Sequence, residues 1–133
     1  MEVKTILICE SASHHPDGTF SLLRGGIDNW NIKSFPSQIG FTFVIMLELL
    51  SAEAGMQHTA ELDVIDADGH KILPQAKINF KIGVKENTSR YKFNLIGGVP
   101  KIPITKPGKY SFNFSVDGNF LASTEFQAVQ SPQ

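Results

Sequence analysis

The sequence runs to 133 residues, 41% hydrophobic and 19% charged, with one cysteine and a formal net charge of −1. That balance excludes a disordered chain and a disulfide scaffold, and it leaves no basic surplus for general nucleic-acid binding. No apolar run approaches the roughly 18 residues of a membrane span, and Ile6–Cys9 is too short for a signal-peptide core, so a cytoplasmic protein without membrane contact is expected. One domain is expected over 1–129, with a flexible polar tail at 130–133.

In chain order, the first predicted strand spans 3–10 and carries Ile6-Leu7-Ile8-Cys9, apolar on both faces. A polar insert, Ser11–Pro16, and an Asp17-Gly18 turn lead to a strand at 19–27. Trp30 follows in a polar loop beside Asp28 and Asn29. The segment 40–50 contains FTFVIMLELL, again apolar on both faces apart from Thr42 and Glu48. Its β-branched and aromatic start predicts a strand over a helix. Such a strand needs cover on both faces, one from the opposite sheet and one from loop 28–39 or a second subunit.

The remaining elements alternate with period two. Ala60, Leu62 and Val64 define a strand at 58–66; Asp66–His70 turns the chain into short strand 70–73. Strands at 76–84 and 90–96 follow on the same pattern. Tyr110, Phe112, Phe114 and Val116 mark 109–117, and Asp117-Gly118 turns it into 120–129. Gly108, two residues before Tyr110 and next to Pro107, fits a tyrosine corner. The fold class is therefore all-β: an antiparallel, immunoglobulin-like Greek-key β-sandwich of about seven to nine strands.

Motifs for chemistry are sparse. Asp66-x-Asp68-Gly69 has His70 and Lys77 where a calcium loop needs an oxygen ligand and a Glu, so it reads as a turn. The histidines, His14, His15, His58 and His70, lack zinc spacing, and neither a metal nor another cofactor is expected. Gly25-Gly26 and Gly97-Gly98 open no phosphate-binding loop and read as bulges or strand ends. Cys9 in its apolar run reads as an inert thiol, and no nucleophile elbow is present, so no catalytic residue is assigned. Glu48 between two leucines is expected to face a Lys or Arg. An enzyme, a hydrolase for instance, would have only Glu48, Asp66, Asp68 and the histidines, and would need three of them in one pocket.

The layout resembles a family of short uncharacterised bacterial proteins of about 130 residues, a domain of unknown function. The resemblance rests on Ile6–Glu10, Asp17–Leu22 and Gly25–Asp28, then Phe35-Pro36 before Phe41–Leu50, Val64–Gly69, and finally Gly108, Tyr110 and Asp117-Gly118. It implies an immunoglobulin-like β-sandwich and carries over no catalytic residues. The insert Ser11–Pro16, with its His pair, departs from the family pattern.

The expected function is a non-enzymatic binding or assembly module. It would self-associate as a homodimer through an apolar sheet face with Ile6, Ile8, Val44 and Met46, beside a protein partner of unknown identity. The alternative is binding of a carbohydrate or small polar ligand at Asp28, Asn29 and Trp30.

Overall fold

A computed structural model describes residues 1–73 and 75–132. The alternation becomes burial: in the strand Gly108–Val116, Tyr110, Phe112, Phe114 and Val116 are buried and the residues between them are half-buried. Ten strands form, and the described residues contain no α-helix. They are β1 (Glu2–Cys9), β2 (Ser11–His14), β3 (Phe20–Leu23), β4 (Asn29–Ile32), β5 (Ser37–Leu50), β6 (Gln57–Ile65), β7 (Ala76–Lys81), β8 (Arg90–Ile104), β9 (Gly108–Val116) and β10 (Asn119–Gln130). No helix is long and apolar enough to cross a membrane.

Two larger sheets face each other. One has the order β1-β5-β8 and is antiparallel; the other has the order β4-β10-β9-β6-β7, antiparallel except where β4 runs parallel to β10. Phe41, Phe43, Ile45, Leu47 and Leu49 of β5 fill the space between them with Leu62, Val64, Phe112, Phe114 and Phe126. Phe41 meets Phe112 edge to face with centroids 5.5 Å apart. Burying each of these side chains contributes about 1.5–3 kcal/mol before the entropy of ordering is subtracted.

The closing hairpin forms at Asp117-Gly118, which link β9 to β10 with φ of 52° and 82°. A two-residue turn of that hand matches the twist of its strands, and glycine adopts it without a Cβ penalty. The Tyr110 hydroxyl donates to the Lys106 carbonyl at 2.7 Å, fixing the entry to β9.

Several predicted elements differ. The third and smallest sheet, β2-β3, lies in the stretch expected to be a polar insert and a single strand at 19–27. Strand 70–73 is reduced to one bridge, Ile65 to Lys71. Strand 90–96 continues to Ile104 through a bulge, where Pro100 and Lys101 together face Gly40. The extra residue shifts the side-chain parity, so Ile102 and Ile104 remain fully buried while Lys101 stays outside. Of the predicted tail, Gln130 closes β10 and the Ser131 N–H donates to the Ile32 carbonyl at 2.8 Å; Gln133 lies outside the described residues.

Candidate functional site

The residues proposed from sequence fall into separate places. Trp30 is in β4, not in a loop, and its ring packs inward against Phe126 and Phe41, with centroids 5.1 and 5.9 Å away. It offers no open stacking platform. Asp28 and Asn29 instead border a polar depression of about 370 Å³ with Lys109, Glu125 and Gln127, and Trp30 is not among its walls. Asn29, Gln127 and Lys109 sit side by side on β4, β10 and β9, so their side chains share the face opposite the core.

The four residues of the expected dimer surface do not share a surface. Ile6 and Ile8 pair with Ile45 and Phe43 on the core face of the sheet. Val44 and Met46 occupy the other face. Ile8 is 1% exposed and Val44 not at all, which leaves neither available to a partner. The cover on the second face is the β2-β3 hairpin, not loop 28–39. The hairpin lies across β5 and β8 and is tied down at its tip, where Asn94 Nδ2 donates to the Gly18 carbonyl at 3.0 Å. Cys9 is buried beneath the same face, and burial raises its thiol pKa, keeping it protonated.

The titratable groups divide likewise. Glu48 accepts from Arg90 Nη1 at 2.7 Å with Lys4 at 3.7 Å; the Arg90 bond and the cations around it lower its pKa. Asp66, Asp68 and His70 lie close enough together for their ligand atoms to be within 4.8 Å. They sit on an exposed turn, however, and are already engaged. Asp66 accepts the N–H groups of Asp68 and His70, and Asp68 pairs with Lys106 at 2.9 Å. Glu48 and His58 are engaged elsewhere, Glu48 by Arg90 and Lys4 and His58 by Asp117 and the Glu53 carbonyl.

His58 is the one buried polar residue of the described core, 5% exposed. Its Nδ1 lies 2.7 Å from Asp117 Oδ2 and its Nε2 lies 2.7 Å from the Glu53 carbonyl. Two acceptors call for two ring protons, so the bond to Asp117 and then the bond to Glu53 raise the His58 pKa. The Glu53 carboxylate in turn holds the Met1 amine at 2.9 Å. Sequence spacing gave no sign of this chain, because its members are 59 and 52 residues apart.

A cleft of about 360 Å³ opens between β8 and the pair β6-β7, where among the described residues neither β8 nor β7 has a further strand neighbour. Phe43, Val64, Phe112 and Val99 give it an apolar lining; Asp63 and Lys101 are its charged members. Asp63 accepts from Asn113 Nδ2 at 2.9 Å. The cleft depends on Gly97, which faces Phe43 across β5-β8: a Cβ there would lie 2.7 Å from the ring. Gly97-Gly98 within an alternating run was the one sequence sign of a close approach at this place.

Residues 4–129 match a family model described as "Family of unknown function (DUF6941)". No curated protein matches the chain.

Proposed function

The chain belongs to that family of unknown function, and we propose that it is a non-enzymatic binding module that takes an apolar ligand in the cleft between β8 and β7. The observation that carries this reading is the cleft itself. It is concave and mostly apolar, and it lies where two edge strands leave the interior open, with a volume in the usual range of about 300–1,000 Å³ for ligand sites. The outer face of β5 is already covered by the β2-β3 hairpin of the same chain.

The framework we propose is an immunoglobulin-like sandwich. The support is topological. With β2, β3 and β4 set aside, β1, β5 and β8 stand where strands A, B and E of that fold stand. On the facing sheet β6, β9 and β10 stand where C, F and G do, and the tyrosine bond opens the F-equivalent strand.

The test uses a neutral fluorescent probe, N-phenyl-1-naphthylamine. Saturable enhancement with the unmodified protein and its loss in a folded Val99→Phe variant are expected, since the larger ring would occupy the lining. Absence of saturable binding, or equal binding by the variant, would remove the cleft as the site.

A further inference from the structure

A second concavity, of about 690 Å³, lies between the tip of the β2-β3 hairpin and the loop that precedes β8. Its lining includes three cationic side chains, Lys85, Arg90 and Lys92, and one acid, Asp17. We propose that it binds a phosphorylated small molecule with an apolar or aromatic body.

In a chain with a formal net charge of −1, three cations against one carboxylate in the lining set a local field opposite to the overall balance. The single acid in the lining stays ionised and is bonded within its own turn. Asp17 Oδ1 accepts both the N–H and the hydroxyl of Thr19, and those bonds lower its pKa. Arg90 gives Nη1 to Glu48 and keeps further donors, since a guanidinium carries five N–H groups. Among the described residues, Lys85 and Lys92 have no carboxylate within 4.0 Å. A phosphate offers several strong acceptor oxygens and at least one negative charge, which this donor set fits better than a single carboxylate does.

The walls add the second half of the ligand. Ile82 and Val84 supply apolar surface beside the cations. Val84 is 71% exposed, an apolar side chain left in water next to a charged rim. The surface is also held in shape from both sides. The Tyr91 hydroxyl accepts from the Lys85 N–H at 3.0 Å and donates to the Lys85 carbonyl at 3.1 Å, which closes the 85–91 loop. The opposite wall is held by the Asn94 bond to Gly18. No residue of this concavity lines the apolar cleft, so the proposal stands apart from the function proposed above.

Titration calorimetry with phenyl phosphate, phenol and inorganic phosphate tests it on the whole chain. Phenyl phosphate is expected to bind saturably and more tightly than either of the other two. Lys85→Glu/Lys92→Glu is expected to weaken it at least tenfold, and Lys33→Glu, the same kind of charge change elsewhere, to leave it unchanged. Both lysines are exposed, which spares the fold. Amide shifts of Gly18, Gly83 and Thr88 in the unmodified protein give an independent readout. No saturable binding, or an equal loss in Lys33→Glu, overturns the site. Equal affinity for phenyl phosphate and phosphate overturns the apolar half of the ligand.

Discussion

At the scale of single residues, the buried His58 makes stability depend on pH from both sides. Folding raises its pKa above the ordinary 6.5, chiefly through Asp117, so its contribution is complete below 6.5 and is lost as pH climbs through the raised value. Asp117 is shifted the other way, below 3.8, chiefly through His58; its contribution is complete above 3.8 and is lost as pH falls through the lowered value. The bond between the two is therefore strongest between 3.8 and 6.5. His58→Gln is expected to cost about 1–2 kcal/mol at pH 5 in urea unfolding, with a smaller loss at pH 9. An equal loss at the two pH values would mean that the ring acts through packing alone. This pairing was hidden in the sequence because a buried imidazole needs partners that only the tertiary fold supplies. Tyr110 was legible, because its partner lies four residues upstream and Pro107-Gly108 announces the turn between them.

At the scale of elements, alternation located β6, β7, β9 and β10, where one face is buried and the other wet. It failed where neighbours set the outcome. Trp30 and Ile32 do alternate with Asn29 and Asn31, yet four residues among turn formers become a strand only by pairing with β10. The predicted strand ends at 96 because Gly97-Gly98 looks like a strand end, whereas Gly97 yields to Phe43 and a bulge carries the strand on past Pro100. The cleft went unseen for the same reason, since its walls come from strands far apart in sequence. β2 lies in the stretch that reads as a polar insert and β3 in the predicted strand 19–27, yet the hairpin they form carries the cover for β5. Ala12, Phe20 and Leu22 are its half-buried members, and Ala12 and Leu22 are directly paired. A charge at Leu22 would be driven away from the sheet, uncovering Val44 and Cys9. Leu22→Asp is expected to bind a hydrophobic dye more strongly than the unmodified chain and to sediment as larger species at micromolar concentration. Unchanged sedimentation and dye binding would show that the hairpin tolerates the charge and still covers the face.

At the scale of the whole molecule, each larger sheet ends in edges without a further strand among the described residues, and an unpaired edge is a template for another chain. β8 carries Pro100, Pro103, Lys92 and Lys101 along its length, and β7 carries Lys77 and Lys81. Proline withholds a donor and lysine resists burial, so these residues guard the side on which the apolar cleft opens. Replacing Pro100 and Pro103 together by valine is expected to raise light scattering on concentration, relative to the unmodified chain. A variant that remains equally clear at the same concentration would assign the protection to the lysines.

The parallel pairing of β4 with β10 has a consequence for the order of assembly. Asn29–Ile32 find their partners at Gln127–Gln130, nearly a whole chain later. During synthesis β4 emerges early and waits, its backbone groups satisfied only by water, until the last strand has been made. β1 has no such delay, because β5 follows soon after it. The early part of the chain is thus divided between a sheet that can begin at once and one that cannot close until the end. Trp30 can meet Phe41 early but gains Phe126 only when β10 arrives, so the segment 29–32 is the last part of the early chain to be closed.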